Sequence, residues 1–213
     1  MQLSVLKHLY VLWLSLAMLA PPALAEDTAY KKVDLPFGIS IEIPGHWTVL
    51  SKDMRANLAA SSEARQKNAG IEIAVTYKNL LAVDAMPKPA GASIRVGVTT
   101  PLQFTQSDLS QMGPNDLRTV EQIMLNRYQK EGASSGTTFK MQAVRVEQFN
   151  DKYRALVIRY EQYGANGGSH WLVTQYKIPV EGRLLEMSFL CRPSDAGLWL
   201  PILERVKRST RLG

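Results

Sequence analysis

Residues His170–Cys191 read HWLVTQYKIPVEGRLLEMSFLC. Two strand-like runs, His170–Ile178 with its β-branched and aromatic residues and the Leu-rich Arg183–Cys191, flank Pro179-Val-Glu-Gly182, a turn composition. So short a connection forces the two runs to lie antiparallel, because a parallel return needs a crossover of a dozen or more residues. Two further runs precede them, Thr138–Phe149 and Tyr153–Tyr163, joined by Asn150-Asp151 and separated from His170 by Gly164-Ala-Asn-Gly-Gly168. The second half of the chain therefore reads as an antiparallel meander. In the second of its runs Leu156, Ile158 and Tyr160 are apolar on one face, and Ala155 and Val157 on the other. A strand apolar on both faces needs cover on both, so helices are expected above and below the sheet.

The first half repeats the strand signal. Lys31–Leu35 leads into Ile39, Ile41 and Ile43, which alternate with Ser40 and Glu42 until Pro44-Gly45 ends the run. Ile71, Ile73, Val75 and Tyr77 line one face of another run, and Ala92, Ile94, Val96 and Val98 one face of the next, with the Pro-rich loop Asp84–Gly91 between them. Helical spacing occurs three times. Met54, Leu58, Ala59 and Ala64 make a weak stripe over Ser51–Lys67, and Leu117, Val120, Ile123, Met124 and Tyr128 a stronger one over Ser107–Lys130. Gly132-Ala-Ser-Ser-Gly136 is expected to stop that helix; it lacks the Lys-Ser or Lys-Thr of a phosphate loop. Leu198, Ile202 and Val206 define a last helix over Leu198–Leu212, whose regular part should begin near Pro201 because proline lacks the N–H an interior position needs.

The N-terminus addresses the compartment. Lys7 precedes an apolar run, Leu9–Ala20, too short for the roughly 20 residues of a membrane span, and Ala23-Leu-Ala25 supplies the small residues of a signal-peptidase site. Cleavage is expected after Ala25. Removal of the first 25 of 213 residues leaves 188, read as one domain, 26–213, with no stable membrane span. No cysteine lies near the cleavage site, so a lipoprotein anchor is not expected, and a periplasmic or secreted product is. The single cysteine, Cys191, can form no intrachain disulfide, and its apolar setting marks a buried structural thiol. With Lys7 removed, 24 basic residues face 19 acidic ones, a net charge of +5. That excess suits anionic partners in general. It comes without clustered aromatic and basic motifs, so nucleic acid is not an expected partner. The basic run Glu204–Arg211 is read as a helix end whose cations complement the helix dipole.

The entry FGISIEIPGHW (37–47) and the ending GRLLEMSFLCRPSDAGLWLPILERVKRS (182–209) resemble the Mog/PsbP-like family over nearly all of residues 26–213. The resemblance implies an α+β fold, an α/β/α sandwich whose central antiparallel sheet has about six to seven strands and is covered by helices on both faces. The family includes extrinsic photosystem II subunits, a nuclear-import factor that binds the Ran GTPase, and exported bacterial proteins. Their shared theme is binding to other proteins, so the resemblance implies a non-enzymatic accessory module with another envelope protein as partner.

Chemistry-bearing residues are few. Beyond the leader there are two histidines, His46 and His170, and no H-x-x-x-H pair of the kind zinc sites use. The one G-x-S-x-G spacing, Gly132-Ala-Ser-Ser-Gly136, falls in the stretch read as a helix stop and not in the strand-to-helix turn a nucleophile needs, and S-x-x-K lacks supporting partners. Glu42, Glu72 and Glu186 fall on alternate faces of strands, where solvent or a surface ion pair is their ordinary fate. We therefore expect no catalytic residue, metal site or cofactor. Trp47 and Trp199 read as core aromatics. His170 and Trp171, beside a run of glycines, are the candidate binding residues. Two alternatives stay open: a hydrolase or small-ligand carrier built from distant residues around His46 and His170, and a toxin-neutralising or chaperone-like envelope protein.

Overall fold

The computed structural model describes residues 29–72, 74–165 and 168–213. The expected leader and its cleavage after Ala25 lie outside these residues. In chain order the elements are β1 (Tyr30–Asp34), β2 (Ile39–Pro44), β3 (Thr48–Val49), α1 (Lys52–Asn68), β4 (Thr76–Asp84), β5 (Ala92–Thr100), α2 (Gln106–Gln111) and α3 (Pro114–Ser135). There follow β6 (Thr138–Gln148), β7 (Arg154–Tyr163), β8 (His170–Val180), β9 (Arg183–Cys191), a 3-10 turn (Pro193–Asp195), α4 (Ala196–Ser209) and β10 (Arg211–Leu212). Seven strands form an antiparallel sheet in the order β3-β4-β5-β9-β8-β7-β6, and β1-β2-β10 form a smaller one. The meander is present as read. Its tightest turn is shorter than expected: Pro179 and Val180 belong to β8, opposite Leu184 and Arg183, and only Glu181 and Gly182 make the turn. Both have positive φ, 45° and 76°, the backbone that suits the twist of a two-residue hairpin.

The sheet buries both faces. Ile94, Val96, Val157, Ile178 and Met187 share one core with Ile41 and Ile43 of the small sheet, Trp47, and Leu203 and Val206 of α4. We call this face A. On the opposite face B, Leu156, Ile158, Tyr160 and Val173 pack against Leu109 of α2 and Leu117, Val120, Met124 and Tyr128 of α3. Helices thus lie on both sides as the two-faced strands require, and on face A the small sheet shares the task. Trp47 is 2% exposed, and its ring meets that of Trp199 edge-on at 5.7 Å.

Several element boundaries differ from the sequence reading. The strand expected over Ile71–Tyr77 begins pairing only at Thr76, because Ile71 N still donates to Gln66 O at the end of α1. α1 turns Arg55, Ala59, Ser62 and Gln66 inward, half-buried, and leaves Met54 and Leu58 exposed. The long central helix is two. Met112 and Gly113 separate them, and Pro114 starts α3 at the position where its missing N–H costs nothing, while Asp116 Oδ2 accepts from Gly113 N at 2.8 Å. α3 runs past the expected stop: Gly132 is buried within it against the Thr137 carbonyl, and Gly136 (φ 68°) ends it. Ile123 falls off the buried stripe and is 60% exposed. α4 begins at Ala196, so Pro201 lies inside it. Leu198 points outward, while Trp199, Ile202, Leu203 and Val206 face the core. Arg211 and Leu212 leave the helix to pair with β2.

Candidate functional site

The two candidate residues sit at the start of β8, where period-two alternation sends them to opposite faces. His170 lies opposite Tyr163 of β7, and the rings stack at 4.2 Å with planes 20° apart. The same alternation places Glu161 on face A beside them. Glu161 Oε2 accepts from the Tyr163 hydroxyl and lies 2.9 Å from His170 Nε2; Glu161 Oε1 accepts from Gln142 Nε2 at 2.9 Å, with Lys140 Nζ at 3.8 Å. The Tyr163, Gln142 and His170 hydrogen bonds hold the Glu161 carboxyl down to about 2, and the same carboxylate pushes the Tyr163 hydroxyl up. A carboxylate so fully engaged is a fixed acceptor and an anchor for its neighbours, with little basicity left for proton transfer. On face B, half-buried Trp171 carries the Arg192 guanidinium 4.4 Å from its ring centroid. This end of the sheet thus presents tyrosine, histidine, tryptophan and arginine together.

His46 does not join them. It is exposed in the turn before β3, and Thr48 shares a row of the sheet with Asp84, Ser93, Leu190 and Val173. Four strand spacings separate the ends of that row, about 19 Å. A site made from both histidines is therefore not formed. Among the described residues no group of three or more His, Cys, Asp and Glu side chains could hold a metal ion. Cys191 is buried, and burial pushes its thiol up, away from the reactive thiolate.

The sequence reading missed a polar band across face B of β4, β5, β9 and β8. Arg95 Nη2 lies 2.7 Å from Asp84 Oδ1, which also accepts from Ser93 Oγ at 2.8 Å. Glu186 takes Lys177 Nζ at 2.6 Å and the Thr99 hydroxyl. Burial pushes the Glu186 carboxyl up, but Lys177 and Thr99 together bring it below its ordinary value. Gln175 continues the band, accepting from Tyr128 Oη at 3.1 Å and donating to Tyr160 Oη at 3.2 Å. Glu186 is thus no simple surface acid: its side chain is 23% exposed and that of Lys177 15%. The sequence does carry a trace of the band, since Ser93, Arg95, Gly97 and Thr99 alternate with apolar residues in a strand that proves central.

No family model matches the chain, and no curated protein does. Among solved structures, the chain resembles cyanobacterial PsbP (CyanoP) from Synechocystis sp. PCC 6803, with a TM-score of 0.55, 9% identity, and 87% of this chain and 94% of that one covered. The fold is α+β and PsbP-like. Looser likenesses are to PA94 of Pseudomonas aeruginosa, described as a putative regulator of unknown function (TM-score 0.39, 14% identity, 83% and 92% covered), and to LpqN of Mycobacterium tuberculosis, described as involved in cell envelope biogenesis (0.42, 13%, 85% and 89%). At such identities the likeness establishes the architecture alone.

Proposed function

We propose that this protein is an exported, non-enzymatic accessory module of the cell envelope that binds another envelope protein through the β7–β8 end of its sheet. The observation that carries the reading is the Tyr163–His170 stack anchored on Glu161, with Trp171 of β8 and Arg192 just after β9 on the opposite face at the same end of the sheet. Aromatic residues and arginine concentrate the energy of protein interfaces, and side chains already held in place lose less entropy on binding. Proton-transfer chemistry has less support here, since the Glu161 carboxylate is engaged by three donors and His46 lies across the sheet. The toxin-neutralising version would use the same surface.

A photoreactive residue at Gln162, Trp171 or, as a remote control, Glu121 tests the proposal in intact cells. We expect a discrete protein adduct from 162 or 171, weakened by His170→Ala, and none from 121. Adducts to no protein from any of the three positions would end the reading.

A further inference from the structure

Between the Gly70–Glu72 segment and α3 lies an open cleft of about 470 Å³, lined by Gly70, Ile71, Glu72, Ile123, Asn126, Arg127 and Lys130. We infer that it binds a single-chain amphipathic anion, an aliphatic tail ending in a carboxylate or a phosphate. The size falls within the usual range of small-molecule sites. Its chemistry is segregated along α3. Ile123 stands one turn before Arg127 and two before Lys130, so one helix face is apolar at one end and cationic at the other. A lone exposed isoleucine needs no explanation. Ile123, however, stands with Ile71 in the lining of one open cleft, and Gly70, at φ 65°, provides the turn that brings Ile71 there.

The cations remain able to take a ligand. Arg127 meets Glu131 through Nε at 3.2 Å, which leaves its two Nη groups for the planar pairing that carboxylate and phosphate favour. Lys130 is exposed, and Asn126 adds a side-chain amide to the lining. Glu72 on the facing wall repels a negative charge and so directs the anionic end toward α3. The tail then lies between Ile71 and Ile123. The inference uses none of the residues at the His170 end and is independent of the protein-binding reading.

Methyl-labelled protein titrated with decanoate, below its micelle concentration, tests the inference, with decylamine, decanol and decyl phosphate as comparison probes and phosphatidylglycerol vesicles to separate a free amphiphile from a bilayer surface. Saturable shifts at Ile71 and Ile123 are expected with decanoate and decyl phosphate, and affinity about tenfold lower for decanol and decylamine, the effect of losing one charge-assisted contact. Arg127→Gln should weaken decanoate binding about tenfold. Because that variant also disturbs Glu131, Lys130→Gln and Ile123→Ser, both at exposed positions, carry the decision: each should weaken binding at unchanged thermal stability. Equal affinity for decylamine, shifts confined to residues outside the cleft, binding to vesicles alone, or indifference to Lys130→Gln and Ile123→Ser would each overturn it.

Discussion

Lys177 Nζ stands 2.6 Å from Glu186 Oε2 across the β8–β9 pair, on the face of the sheet that elsewhere buries the α2 and α3 core. The contact links two central strands where a solvated ion pair would be an unremarkable surface feature. With both side chains less than a quarter exposed, removing one partner leaves a charge short of both water and its counter-ion.

Glu186→Gln should therefore destabilise the protein by about 2 kcal/mol, below the 3–5 kcal/mol of a fully buried pair because some water still reaches the site. Replacing both partners, Lys177→Met with Glu186→Leu, should restore most of the loss, since no charge is stranded. Urea denaturation of the wild type, the single variant and the double variant measures this; a double variant no better than Glu186→Gln would mean that the pair's geometry, and not stranded charge, sets the cost.

Gly97 of β5 lies against the Tyr77 ring, and a Cβ at position 97 would clash with its Cζ and Oη. Gly97→Ala should cost about 1 kcal/mol, as overpacking does when the obstructing atoms belong to the far end of a movable side chain. In a Tyr77→Ala background the same change should cost nothing or stabilise slightly, because alanine is favoured over glycine within a strand. Additive costs in the double-mutant cycle would show that the ring does not occupy that space in solution.

Glu161 predicts an acid sensitivity with a definite sign. Its folded carboxyl is held at about 2 against an ordinary value of 4.5, so the unfolded chain takes up its proton first as pH falls. The stabilisation is whole above pH 4.5 and is lost progressively from there toward pH 2. Glu161→Gln removes this contribution, so the stability gap between wild type and variant should narrow over that window. Thermal melts at pH 6, 4 and 2.5 are the measurement, and a gap that stays constant or widens would contradict the hydrogen-bonded carboxylate.

The meander was legible because its signal is local: short apolar runs such as Tyr153–Tyr163 and Arg183–Cys191, bounded by turn residues, need no knowledge of distant partners. The polar band was not, because Arg95, Lys177 and Glu186 come from separate strands, and strand order with register decides that they share a face. Pro201 misled for a related reason. The rule that proline opens a helix is local, whereas Trp199 in the turn before it packs against the core with Trp47, and that tertiary contact holds the earlier turn in helical form. His170 and Trp171 stand out in the sequence as candidates, beside a run of glycines. The Glu161 anchor of His170 does not, since the two meet only after the hairpin closes.

Trp47 closes the corner between β2 and β3, and its ring fills the space between the small sheet and α4. Its backbone N–H donates to Pro44 O at 3.0 Å, which shapes the corner, while the indole lies in the core against Trp199. Trp47→Ala should cost about 3–5 kcal/mol, the range for deleting a large buried aromatic that leaves a cavity. Trp47→Phe retains part of the ring and should cost less than half as much. Because Trp199 is the edge-on partner, either change should also alter near-ultraviolet circular dichroism, and Trp199→Phe should reproduce that spectral change with a smaller loss of stability. The corner and the helix then act as one packing unit, so the Trp47→Phe, Trp199→Phe cycle should show coupling of about 0.5–1.5 kcal/mol, the value of a specific aromatic pair. Coupling near zero would place the two rings in independent environments and remove the reason for α4 to start before its proline.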